Sequence, residues 1–314
     1  MIILEKGGEE LEIITLLLKQ NIVMLCYMLI GYFLFKKKLI TNNGSSEIGK
    51  LLLYVVMPIA IIKSYSIDFS VEMLKGLSIS FLGALVSLLI SIIIAKLVFR
   101  NKHSIEMFSA AFSNAGFIGI PLVSMTLGEE AVFFIASYVV LLNIMQWTYG
   151  VYIITQNKEY ISLKKIYKNP IIISFVIGII LFILPIKLPS VITTVMNNIA
   201  SMNGPLAMII LGVYIGQIKL EELFNDKIVY ICSLVRLIII PMITIIILSI
   251  IPNEFMIIKL TILIATSAPV GSNVAIFSQI YNKDYKQAVK DICLSTILCI
   301  ITLPIIISLA NYIW

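Results

Sequence analysis

Ser113-Asn114-Ala115-Gly116-Phe117-Ile118-Gly119-Ile120-Pro121 lies inside an apolar run long enough to cross a bilayer, yet it is poor helix material. Pro121 removes a backbone donor and clashes with the preceding turn, while Gly116 and Gly119 loosen the backbone. In hydrocarbon such a break holds only where protein or a water-filled cavity satisfies the freed backbone groups. A second interruption, Ser267-Ala268-Pro269-Val270-Gly271-Ser272-Asn273, occupies the corresponding place in the other half of the chain. Paired interruptions of this kind point to the binding site of a transporter.

The surrounding composition is that of an all-α integral membrane protein. Of 314 residues, 60% are hydrophobic and 13% charged, with a mean hydropathy of +1.05; a soluble domain has about 45–50% and about 25%. The net charge of +6 sits between apolar runs and calls for no nucleic-acid partner. The N-terminal residues lack the basic start and cleavage site of a signal peptide, so the first span is expected to stay. Cys26, Cys232, Cys293 and Cys299 stand in apolar segments without ligand spacing, which suggests buried packing and no metal or disulfide.

Apolar runs of about 20 residues place ten spans, at 13–35, 48–67, 73–99, 104–126, 130–154, 170–186, 190–217, 227–251, 256–281 and 287–312. Two sets of five result: a first repeat over 1–154, a linker at 155–169 and a second repeat over 170–314. The connections after spans one, three, five, seven and nine hold sixteen of the 23 Lys and Arg residues, against five on the other side. Such a bias puts those connections in the cytoplasm and both termini outside. With an odd number of spans per half, the halves enter the membrane from opposite sides as inverted repeats. Met57-Pro58 against Gly204-Pro205, and Gly116 against Gly271, are matched punctuation marks.

After each break a half-helix can restart, at Pro121 in span four and behind Ser272-Asn273 in span nine. Approached from opposite leaflets, these two amide-rich ends would converge near the midplane and favour an anion, most simply a carboxylate. Candidate substrate-binding residues are Asn114, Gly116, Gly119, Pro121, Pro269, Gly271, Ser272 and Asn273. Asn143 and Gln146, one turn apart in span five, join them as polar groups on a shared face. The carbonyl ends of the breaks leave room for a cation as well.

Asn114-Ala115-Gly116-Phe117-Ile118-Gly119-Ile120-Pro121-Leu122 resembles the fourth-span signature of the auxin efflux carrier family. Ala268-Pro269-Val270-Gly271-Ser272-Asn273 resembles its ninth-span counterpart in bacterial members, and Arg236, Pro241 and Leu294-Ser295-Thr296 are similar too. The resemblance implies ten transmembrane helices as two inverted five-helix repeats, with broken helices four and nine crossing in a transport domain. It also implies organic-anion substrates, auxin in plants and malate or malonate for some bacterial relatives. Val274 stands where plant members carry a second crossover proline, and the central loop is short, which argues against auxin itself.

Intramembrane charges are functional candidates by default, and Asp291, Lys63 and Arg236 are candidates for coupling or support. The bland alternatives are a helix-start acid for Asp291, snorkelling or a pair with Asp68 for Lys63, and an anchor on carbonyls for Arg236. Lys19 reads as snorkelling from the first turns of span one, and His103 as a solvated loop residue. Ser295 and Thr296 are expected either to face the cavity or to bond their own helix.

The chain therefore reads as a cell-membrane secondary transporter moving a small organic anion by alternating access. A sodium- or proton-coupled symporter or exchanger on the same scaffold is the alternative. A membrane enzyme is disfavoured, because the spans hold no cluster of nucleophile, base or metal ligands. The expected partners are a small carboxylate and the lipid bilayer, with a homodimer left open. No cofactor is expected; Na+ and H+ both stay open as coupling ions.

Overall fold

Helices begin at the loops where the sequence offers a cap. Thr41, Ser70, Asn169, Asp226 and Asp284 each accept a hydrogen bond from a backbone N–H of the turn that follows, satisfying a donor that the helix leaves unpaired. The structure is a computed structural model that describes residues 2–314 apart from 185, 187 and 219. Lys187 and Lys219, counted above with the loops, lie outside the described residues.

In order the elements are α1 (Ile2–Lys36), α2 (Asn42–Ser64), α3 (Val71–Phe99), α4 (Ser104–Ala111), α5 (Ala115–Leu127), α6 (Glu129–Thr155), α7 (Pro170–Ile183), α8 (Ser190–Gln217), α9 (Lys227–Leu248), α10 (Met256–Ser267), α11 (Asn273–Ile280) and α12 (Tyr285–Ile313). Short helical turns fill several connections. Among the described residues, seven helices are long and apolar enough to cross a bilayer: α2, α3, α6, the stretch Lys158–Ile183 that ends in α7, α8, α9 and α12. The segments expected as spans four and nine are each built of two short helices, α4 with α5 and α10 with α11.

Single π turns interrupt α2 at Leu52–Val56, α6 at Gln146–Gly150 and α9 at Val235–Ile239, and another opens α5 at Ala115–Gly119. Such wide turns often mark functional positions.

Large apolar side chains such as Ile22, Leu82, Leu97, Ile180, Ile246 and Ile305 cover the exterior. In a soluble protein that much exposed apolar surface would be a liability; here it is the surface that lipid covers. The interior centres on α4, α5 and α10, which are buried along nearly all or much of their length. At the edge of this core α1 and α8 touch backbone to backbone. A Cβ added to Gly31 would stand 2.0 Å from the Ile209 carbonyl oxygen, and one on Gly212 2.0 Å from that of Met28. Only glycine permits that approach, the usual device for packing helices in lipid.

One smaller expectation needs correction. Cys26 is exposed on α1 while the other three cysteines are buried, and all four are free. Lys19 is exposed on α1, seven residues into the expected span at 13–35.

Candidate functional site

The two interruptions meet. Ser113 and Val270 form an isolated antiparallel β-bridge. Asn114 N–H donates to the Pro269 carbonyl at 2.8 Å, and Gly271 N–H donates to the Phe112 carbonyl at 3.0 Å. A short piece of ladder thus satisfies the backbone at a depth where water is scarce. Val270 N–H donates outward to the Ser295 hydroxyl at 3.1 Å, which in turn donates to the Asp291 carbonyl at 2.7 Å. Thr296, by contrast, only bonds the Ile292 carbonyl of its own helix.

The helix ends at this crossing are of two kinds. α4 and α10 arrive with their carbonyl ends, and Arg236 meets both. Its Nη1 donates to the carbonyls of Ala110 at 2.8 Å and Ala111 at 3.3 Å, and its Nη2 to that of Thr266. A buried guanidinium therefore offsets the negative ends of two helix dipoles, the anchor expected of this residue.

α5 and α11 leave with their N–H ends, and neither has a side-chain cap. The second half-helix, expected to begin behind Ser272-Asn273, begins at Asn273, with Ser272 in the N-cap position but making no side-chain cap. Its backbone lies in the αR region (φ −58, ψ −17), whereas a capping side chain needs an extended backbone, so its hydroxyl oxygen accepts no backbone N–H and is left without a partner.

The restart at Pro121 is corrected: α5 begins six residues earlier, at Ala115. The π turn explains the proline. With i→i+5 bonding, residue 121 would donate to the Gly116 carbonyl, and proline has no N–H to give. Asn203 Nδ2 donates to that carbonyl instead, at 3.2 Å. Gly116 and Gly271 serve spacing and not left-handed backbone, since neither has a positive φ. A Cβ on Gly116 would stand 2.3 Å from the Met57 methyl, and one on Gly271 2.9 Å from the Ser113 carbonyl oxygen.

Between the N–H ends lies a cavity of about 20 Å³ lined by Ser113, Asn114, Gly116, Asn143, Gly271, Ser272 and Asn273 among others, room for about one water. Asn273 Nδ2 donates to Gln146 Oε1 at 2.7 Å. Asn143 Nδ2 donates to the Val139 carbonyl at 2.9 Å, while its Oδ1 accepts from Asn169 at 3.5 Å. Four buried groups here have no partner: Asn114 Nδ2, Gln146 Nε2 and the hydroxyls of Ser113 and Ser272. Buried polar atoms are ordinarily satisfied, and these are two amide donors with two hydroxyls.

Of the remaining candidates, Pro269 contributes a backbone carbonyl to the bridge. Gly119 faces Ile135 and Ala265 and stays away from the cavity. Pro121 borders a separate space of about 380 Å³, walled also by Lys63, Ser124, Glu129, Asn197, Ser201, Asn203 and Gly204. Asn203 and Gly116 form the partition between this vestibule and the central cavity.

A family model described as Membrane transport protein matches residues 16–307. The chain belongs to this family of auxin efflux carrier-like membrane transporters. No curated protein matches it.

In this membrane transporter Lys63 pairs across the vestibule with Glu129 at 2.8 Å, which also accepts from Ser124; the pair with Asp68 is not formed. Asp291 is no helix-start acid, because Asp284 caps α12 and Asp291 lies nearly two turns further in, wholly buried. His103 is half-exposed and faces Glu106 at 3.8 Å. Asn203 and Ser113 are the site residues that sequence reasoning passed over. Asn203 directly precedes the Gly204-Pro205 mark, which was the available signal.

Proposed function

We propose that this transporter carries a small organic anion, a mono- or dicarboxylate, by alternating access around the crossing of α4/α5 with α10/α11. In this arrangement the ten expected spans are α1, α2, α3, α4 with α5, α6, α7, α8, α9, α10 with α11, and α12, arranged as two inverted repeats over 1–154 and 170–314. The connections rich in lysine face the cytoplasm.

The observation that carries the proposal is the set of orphaned donors. Two uncapped helix N-termini, the unpartnered amide of Asn114 and the hydroxyls of Ser113 and Ser272 surround one cavity, and the unpartnered Gln146 amide stands behind Asn273. A carboxylate has acceptors for such donors and complements the positive helix ends, and no buried lysine or arginine is needed at the anion itself. The cavity as it stands holds about a water, so substrate enters after the walls separate, and the vestibule ending at Pro121 and Asn203 is the approach from the outer side. The Lys63–Glu129 pair spans that approach and would attract an anion by exchange of partners.

The test is uptake of radiolabelled malonate, malate and indole-3-acetate by proteoliposomes holding the purified protein. Saturable uptake of at least one, lost in Asn114→Ala and Asn273→Ala proteins that remain folded, is the expected result. Uptake of none, or full activity in both variants, would sink the proposal.

A further inference from the structure

Asp291 is the least explained group in the molecule. It is completely buried, belongs to no ion pair among the described residues, and neither carboxylate oxygen has a hydrogen-bond partner. The Ser109 hydroxyl on α4 and the Cys232 thiol on α9 are buried beside its carboxyl and interact with it weakly, without a hydrogen bond of ordinary geometry. A carboxylate left charged and unpaired in such surroundings costs several kcal/mol, about the price at which a group neutralises instead.

No charged group of opposite sign is left to pair with it. On α4, Glu106 is buried and turned to His103. On α9, Cys232 directs its thiol to the Glu106 carbonyl, and Arg236 is spent on the carbonyl ends of α4 and α10. At the start of α9, Asp226 holds Lys290 at 3.1 Å, so the lysine adjacent to Asp291 in sequence is drawn away from it. On α12 itself, Cys293 groups with Tyr214 and Tyr285.

We infer that Asp291 is a proton-binding site, filled from the lysine-rich side through His103 and Glu106 and linked to the anion at the crossing. The route is graded in exposure: the His103 side chain is 49% exposed, that of Glu106 7%, and Asp291 is fully buried. A proton moves from solvent to the imidazole or the Glu106 carboxylate and then to an Asp291 oxygen, with only N–H and O–H bonds made and broken. A metal ion is the weaker occupant, since among the described residues no group of three or more His, Cys, Asp or Glu could hold one.

The link to the crossing is short and runs through two hydrogen bonds to the Asp291 backbone. The Asp291 carbonyl accepts from the same Ser295 hydroxyl that receives Val270 N–H. On the other flank Cys232 stands one helical turn before Arg236, which ties the two carbonyl ends. A change of charge at Asp291 thus acts on both supports of the bridge, and by linkage an anion at the bridge acts back on the proton.

The inference rests on the carrier reading for its coupling half and is independent of it for its proton half, and two measurements separate them. The first is an infrared titration of purified protein, with no anion present, from mildly acidic to alkaline conditions. A carboxylic-acid band present in wild type, absent in Asp291→Asn, and retained by Glu106→Gln with its transition moved, is the expected result. If wild type lacks the band, or if Asp291→Asn keeps it, there is no proton site here. Should Asp291→Asn fail to fold, the unmoved transition of Glu106→Gln decides against it in the same way. The second is accumulation of whichever of malonate, malate or indole-3-acetate wild type takes up, driven by an imposed pH difference in sodium-free liposomes. One pH unit sustains about a tenfold concentration ratio for one proton per monoanion, and this should vanish in Asp291→Asn while counterflow persists. Uptake indifferent to the pH difference overturns the coupling; no uptake at all overturns the carrier reading and leaves the infrared result standing.

Discussion

Asparagine does at this site what a charged residue would do in water. Asn114, Asn143, Asn203 and Asn273 gather around the crossing of the helices, each able to donate and accept without the cost of a buried ion. The Asn114 and Gln146 amides lack partners, so their removal should weaken anion binding and spare the fold. Asn114→Ala and Gln146→Ala are each expected to cost about 1–3 kcal/mol of binding, or about fivefold to 150-fold in Kd, read by a binding assay on purified protein. Asn203→Leu should behave differently. Its amide satisfies the carbonyl that Pro121 leaves free, so the variant should lose about 1–3 kcal/mol of stability, seen as a lower unfolding temperature in detergent.

At the scale of elements, the distinction between helix ends organises the site: carbonyl ends to Arg236, N–H ends to the cavity. Arg236→Met should destabilise by about 3 kcal/mol or more, since three carbonyls would lose a charged donor. A thermal shift would register it, and unchanged stability would contradict the anchoring role. Gly271→Ala puts a methyl against the Ser113 carbonyl, prising the bridge open at about 1–3 kcal/mol; loss of transport with retained helical content is the expected outcome.

How much of this could be read from the chain follows the physics of each feature. The interruptions were legible because Pro121, Pro269 and the glycines carry local backbone constraints that need no tertiary knowledge. The start of α5 at Ala115 was not, because a π turn has no residue signature and moved the proline into the helix. Lys63 choosing Glu129 over Asp68, and Asp291 lying beyond the Asp284 cap, are matters of packing between distant segments. Spacing along one helix does not report them.

For the whole molecule, the vestibule and the central cavity are neighbours, separated by Asn203 and Gly116. Cysteines placed at Ser201 or Met125 in a cysteine-free background should react with an impermeant maleimide from outside and be protected about tenfold or more when anion holds the carrier turned inward. Cysteines at 43 or 157, on the lysine-rich side, should react only after permeabilisation; external labelling there would invert the topology.

The close approach of α1 and α8 at Gly31 and Gly212 has a bearing on how the protein is made. Gly212 is not added until two-thirds of the chain has been synthesised. Until then the notched flank of α1 has no permanent neighbour and is covered by lipid or an insertion factor. A bulky residue at either glycine would therefore strand the first helix during assembly, long before any substrate could be offered to the finished carrier.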